Sequence, residues 1–123
     1  MKTLNEAQKI STVLEEIAHP ARLAILLSIR NGEACVCHLE ALLGKRQAYI
    51  SQHLMALRDA GILLSRRDGK FIFYRLRDPL LLELIELAAK MQNVEISDVP
   101  TSAACTCPNC IPKHEEKLAY SPG

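Results

Sequence analysis

Between residues 36 and 61, apolar periodicity and glycine alternate in a pattern that few folds can accommodate. A short segment over residues 36–43 carries Leu39, Leu42 and Leu43 on one side and stops at Gly44. A longer one over residues 46–60 carries Ile50, Leu54 and Leu57 on one stripe and stops at Gly61. Apolar residues recurring every three to four positions predict amphipathic helices. A glycine just past the last periodic residue ends each of them. Two helices joined by so tight a turn make a helix-turn-helix. The buried stripe of the second helix leaves Ala48, Gln52, Met55 and Asp59 on the opposite face.

The flanks complete the unit. Strand-like runs over residues 62–67 and 70–76 bracket Asp68-Gly69, a strong hairpin signal. A hairpin directly after a helix-turn-helix is the wing of a winged-helix domain. Upstream, Ile10, Val13, Leu14 and Ile17 stand at helical spacing within residues 4–17. Pro20 opens a second helix, ended by a turn at Asn31-Gly32. Pro79 opens a last helix over residues 80–91, with Leu80, Leu81, Leu82, Leu84, Ile85, Leu87 and Ala88. A helix apolar on more than one side needs two covers, and a second subunit is the natural second one. The expected fold is mainly α with a small β-hairpin, a winged helix-turn-helix that forms a homodimer. The expected domains are 1–93 for DNA binding and dimerisation and 94–123 for a flexible, cysteine-containing tail with Pro100, Pro108, Pro112 and Pro122.

Charge agrees with this reading. Net charge is only +1, yet residues 44–77 hold eight basic residues against two acidic ones. A basic segment in an otherwise acidic chain suggests a surface for a polyanion, here double-stranded operator DNA. Gln52 is the candidate base reader, because an amide can pair bidentately with adenine. Ala48 and Tyr49 suit a thymine methyl or a sugar. Gln47, Ser51 and His53 suit phosphates, which position a helix without reading sequence. For His53 a structural hydrogen-bonding role is the alternative. Lys45, Arg46 and the helix N-terminus add positive potential, and Arg66, Arg67 and Lys70 arm the wing. The residues also admit a helical unit that binds protein instead. No signal peptide is recognisable and no stretch approaches the ~20 apolar residues of a membrane span. The expected location is therefore cytoplasmic, with no membrane partner, where thiols stay reduced.

Five cysteines fall in two close-spaced sets, Cys35 with Cys37 and Cys105 with Cys107 and Cys110. In a reducing compartment such sets suggest metal or redox chemistry. Residues i and i+2 on a regular helix point 200° apart and cannot chelate one ion. Cys35 and Cys37 straddle the start of the third helix, where the backbone is not yet regular and two thiolates can converge. A chelate closed there would remodel the first turn of a helix that supports the recognition helix. The tail cysteines could complete that site within or across subunits. They could also hold a zinc ion of their own with His114, act as a thiol–disulfide pair through Cys107-Pro-Asn-Cys110, or be spare. No nucleophile–base pair and no phosphate loop appears, so no enzyme is expected. A redox or reactive-sulfur switch and a thiol-based metal carrier stay open as alternatives.

Four stretches together, His19-Pro20-Ala21-Arg22-Leu23, Cys35-Val36-Cys37-His38-Leu39, Ser51-Gln52-His53-Leu54-Met55-Ala56-Leu57-Arg58-Asp59-Ala60-Gly61 and Arg67-Asp68-Gly69-Lys70, resemble the ArsR/SmtB family of metal-sensing repressors. The resemblance spans about residues 8–90. It implies a winged-helix homodimer, joined through its first and last helices, that leaves a pseudo-palindromic operator when an inducer binds. A Cys-Val-Cys at this point is similar to the arsenic, antimony, cadmium and lead sensors. Arsenic sensors often continue Cys-Val-Cys-Asp-Leu-Cys, whereas this chain has His38 and Glu40. The third local thiol is missing; the tail could supply it, and His38 is a weaker candidate ligand. The family's zinc and cobalt sensors use Asp, His, His and Glu ligands on the last helix. Here that helix offers Asp78, Glu83 and Glu86 without histidine, so that site is not expected.

Overall fold

Apolar periodicity becomes five helices around a small sheet in a computed structural model that describes residues 1–96. Helix α1 spans Lys2–Ile17 and α2 spans Pro20–Ile29. A two-residue strand, β1 (Ala34–Cys35), leads without a break into α3 (Val36–Leu43). Helix α4 (Gln47–Asp59) follows, then β2 (Leu63–Asp68), β3 (Phe71–Leu76) and α5 (Leu80–Met91). The fold is a winged helix-turn-helix, as its α3–α4 spacing and β2–β3 hairpin require.

The turn between α3 and α4 rests on Gly44, which adopts φ +65° and donates its N–H to Glu40 O at 2.9 Å. A residue with a Cβ pays steric energy in that left-handed conformation. At the end of α2 the positive φ falls on Arg30 rather than on the Asn31-Gly32 pair. Arg30 still closes the helix through N–H to Leu26 O, and Gly32 N–H reaches Ile29 O.

Ile25, Leu26, Leu39, Ile50, Leu54 and Leu57 are fully buried and form the centre of the core. Helices α2, α3 and α4 thus bury their apolar stripes against each other, while Leu63, Tyr74 and Leu76 seal the hairpin side. Leu81 and Ile85 anchor α5 to this core.

Two features go beyond the periodicity. First, the sheet has three strands in the order β1-β3-β2, all antiparallel. Ala34 pairs with Tyr74 and Cys35 with Phe73, so the wing is laced to the residues that start α3. A two-residue strand has no alternation to reveal it. Second, the stripe of α1 is largely uncovered. Ile17 is buried, but Ile10 is 61% exposed, and Val13 and Leu14 are also exposed. On α5, Leu80, Leu84 and Leu87 face outward.

Gly44→Ala should lower unfolding free energy by about 1–2 kcal/mol, because no atom lies within 4 Å of the added Cβ and only the backbone is strained. Gly32→Ala serves as the control, since its Cβ would meet only Ile29 O at 3.6 Å. Urea denaturation of both variants checks the difference, and equal stabilities would contradict it.

Candidate nucleic-acid interface and thiol site

Helix α4 buries Ile50, Leu54 and Leu57 and so turns the other side outward. Gln47, Ala48, Tyr49 and Gln52 are exposed there, and Ser51 is half-buried. Lys45 precedes the helix with its Nζ 5.6 Å from the Tyr49 ring centroid, and Arg46 is the N-cap residue. On the wing, Arg67 and Lys70 are exposed, with Lys70 Nζ 5.6 Å from the Phe71 ring.

Two residues that the sequence offers to DNA are engaged inside the fold. His53 Nδ1 accepts a hydrogen bond from Arg22 Nε at 3.0 Å. Arg22 also donates to the Glu16 backbone carbonyl at 2.9 Å, which joins the end of α1 to α2 and α4. Tyr49 stacks edge-on against the His53 ring at 4.8 Å between centroids. Burial, then the positive charges of Arg22 and His19, push the His53 pKa below its usual value. Because Nδ1 accepts the Arg22 hydrogen bond, this contact is made by the neutral imidazole. The structural alternative raised for His53 is the one its geometry occupies.

Arg66 is the second case. Its guanidinium grips both Glu33 carboxylate oxygens, at 2.6 and 2.7 Å. It also lies 4.6 Å over the Phe73 ring. A bidentate fork of this kind fixes orientation as well as distance. Glu33 immediately precedes β1, so Arg66 braces the wing against the same short strand that Phe73 pairs with. Neither Glu33 nor Arg22 was among the site residues expected from the sequence. Their partners lie 33 and 31 residues away, and no local pattern marks such pairs.

The thiols converge. Cys35 ends β1 and serves as the N-cap residue of α3 in extended conformation, with φ −94° and ψ 169°. Cys37 follows within the first turn. Their Sγ atoms stand 3.0 Å apart. Cys35 is buried beside Phe73, and Cys37 and Phe71 pack against that pair. The thiols open into a cleft of about 430 Å³ between α3, the outer side of α4 and the wing. Gln47, Ser51 and Met55 of α4 and Lys70 of the wing line the same cleft. Among the described residues no group of three or more His, Cys, Asp or Glu side chains is arranged to hold a metal ion. Cys105, Cys107 and Cys110, and the tail zinc reading that includes His114, lie outside the described residues.

Residues 19–65 match the family described as bacterial regulatory protein, arsR family. A biofilm growth-associated repressor of Agrobacterium fabrum is 45% identical over 80 residues, which cover 65% of this chain and 68% of that protein. The chain belongs to the ArsR family. The arsenic resistance transcriptional regulator ArsR1 of Pseudomonas putida is 50% identical over 56 residues, or 46% of this chain and 43% of that protein. The transcriptional repressor BigR from Xylella fastidiosa superposes with a TM-score of 0.67 at 32% identity, covering 73% of this chain and 92% of that one. As an ArsR-family protein the chain is a DNA-binding transcriptional repressor and not an enzyme. Among the described residues, no helix of this ArsR-family repressor is long and apolar enough to cross a membrane.

The depressed His53 pKa sets a pH dependence for the repressor. Below about pH 6.5 the unfolded chain takes up the His53 proton more readily than the folded one. Stability from the Arg22–His53 contact is thus present above that value and is lost as pH falls through the lowered folded pKa. Urea midpoints should fall on acidification from neutrality, and fall less steeply in His53→Asn, whose amide oxygen can accept from Arg22 without titrating. Parallel pH profiles would contradict the assignment.

Proposed function

We propose that this ArsR-family repressor is a homodimer that leaves its operator when a thiophilic inducer is captured by Cys35 and Cys37. The observation that carries the reading is the 3.0 Å Sγ–Sγ approach at the junction of β1 and α3. Two sulfurs at that separation can both lie ~2.3 Å from one centre and subtend about 80° there. Such an acute angle suits the pyramidal bonding of arsenite or antimonite better than a tetrahedral ion. Cadmium and lead remain in the class because thiolate ligands suit soft ions generally. The name of the arsenic resistance relative supports arsenite. A third thiolate would come from Cys105, Cys107 or Cys110, and zinc in that tail is the companion proposal.

In this reading Gln52 reads bases, and Ala48 and Tyr49 touch sugar or methyl groups. Gln47, Ser51, Lys45, Arg46, Arg67 and Lys70 contact phosphate. Arg66 positions the wing through its fork with Glu33, whose carboxylate offsets its charge. Release follows from strain passed along two routes. The first turn of α3 supports α4, and the Cys35–Phe73 pairing reaches the wing. A redox variant of the same reading draws on the same sulfur proximity, with a disulfide formed at the loss of two hydrogens.

Cys35→Ser and Cys37→Ser should each bind operator DNA as the unaltered protein does, within about threefold, yet fail to release it with arsenite or cadmium. Fluorescence anisotropy on labelled operator measures both quantities. Normal release from both variants would refute thiol sensing. Release by oxidant without metal, with a mass loss of two hydrogens, would select the redox variant.

The homodimer draws its support from the uncovered apolar faces of α1 and α5, including Ile10, Leu84 and Leu87. A chain this small gains from sharing such surface with a second copy. Leu87→Glu should convert the protein to a folded monomer in sedimentation analysis and weaken operator binding by more than tenfold. A Leu87→Glu protein that stays dimeric would place the interface elsewhere.

A further inference from the structure

Tyr49 lies on the exposed side of α4, yet its ring is held before any DNA arrives. An exposed aromatic side chain ordinarily keeps its rotamer freedom. Here the His53 ring meets it at 79° between planes and 4.8 Å between centroids, and Lys45 Nζ lies 5.6 Å from its centroid. His53 is itself fixed, because its Nδ1 accepts from Arg22 Nε at 3.0 Å. The largely buried Arg22 side chain donates in turn to the Glu16 carbonyl at 2.9 Å and to the Glu16 carboxylate at 3.4 Å. The series Glu16, Arg22, His53, Tyr49 thus runs from the end of α1 through α2 to the outer side of α4. Tyr49 and Gln52 are three residues apart and so neighbours on the helix surface. A held ring there offers a flat apolar surface, and the thymine C5 methyl is the apolar group that the major groove presents.

We infer that Tyr49 is a specificity-determining residue whose ring packs on a thymine methyl, and that His53 and Arg22 are positioning residues that hold the ring for this contact. The inference rests on the proposed docking of α4 in the major groove and commits Tyr49 to the methyl rather than the sugar. A loose ring would have to be ordered on binding, which erodes a contact as small as one methyl. The brace removes that cost in advance. It also depends on protonation. With a proton on Nδ1, His53 offers Arg22 no acceptor and sets a second cation beside it. The charged and titratable groups around the imidazole are Arg22 and His19 at the start of α2, Glu16 behind Arg22, and Tyr49 and Lys45 at the start of α4. Glu16 is the anion among them, and Arg22 already engages it. Acid therefore frees the ring, and methyl reading fades even as attraction to phosphate grows.

The test uses the full chain, reduced, and duplexes that it selects from a randomised pool, with each thymine replaced in turn by uracil. The replacement deletes one methyl and leaves the pairing edge intact. Fluorescence anisotropy gives the ratio of affinity with thymine to affinity with uracil, in which general changes of stability or charge cancel. At least one thymine should show a ratio of about four, the fold-change for burying one methyl-sized group. Tyr49→Phe should keep that ratio, whereas Tyr49→Ala and His53→Asn should each bring it below about two at that thymine alone. In the unaltered protein the ratio should fall toward one between about pH 8 and about pH 5. A ratio near one at every thymine, or one undiminished by Tyr49→Ala, would overturn the reading by Tyr49. Its loss in Tyr49→Phe would assign the contact to the hydroxyl and overturn the ring contact equally. A full ratio in His53→Asn, or one independent of pH in the unaltered protein, would overturn the brace. Gln52→Ala separates this inference from the docking of α4. If neither Gln52→Ala nor Tyr49→Ala alters any base preference in a repeated selection, the docking itself fails. Circular dichroism confirms that His53→Asn is folded, and His53→Gln gives a second brace variant if it is not.

Discussion

The pairing of Ala34 and Cys35 with Tyr74 and Phe73 is the contact on which the rest of this molecule turns. It makes one short strand serve three masters. Its last residue caps α3, its sulfur faces Cys37, and its backbone belongs to the wing's sheet. The Glu33–Arg66 fork and the Arg66–Phe73 stack brace the same strand from the other side. An exposed ion pair of this kind contributes little stability by itself. Its importance is geometric, because it holds the wing at a fixed place relative to the thiols. Under the proposed thiol sensing, a ligand that moved either sulfur would act on α3 and on the wing at once.

Burial explains where such a device can sit. The central core, built on Leu39, Ile50 and Leu54, is aliphatic and fully closed, and close-packed interiors resist continuous deformation. The thiol pair lies at the margin of that core, with Cys35 and Phe73 forming a separate small cluster. A change there can alter the first turn of α3 without opening the main core. Elsewhere the exposed stripes of α1 and α5 leave apolar surface that a second copy would cover. The proposed sensing and dimer surfaces thus draw on different elements, β1 and α3 for the one and α1 and α5 for the other.

Much of this was legible in the chain. The helix-turn-helix could be read from Gly44, Gly61 and the Ile50, Leu54, Leu57 stripe, because period and terminator agree at each point. Convergence of the two thiols followed from their position at an irregular helix start. What could not be read were contacts between residues distant in sequence. Strand β1 is too short to carry a period, so the lacing of wing to thiols was hidden. Arg66 and His53 were offered to DNA because their partners, Glu33 and Arg22, leave no local trace. The stripe of α1 was visible, but nothing local distinguishes a face that meets its own core from one left open.

The central claim is that one strand transmits a change at the thiols to both the recognition unit and the wing. Hydrogen exchange of backbone amides, measured with and without bound arsenite on the DNA-free protein, tests it most directly. The account predicts altered exchange in the first turn of α3 and, together with it, at the residues of β3 that pair with β1, chiefly Phe73 and Tyr74. Altered exchange confined to α3, with the β3 amides unchanged, would contradict it.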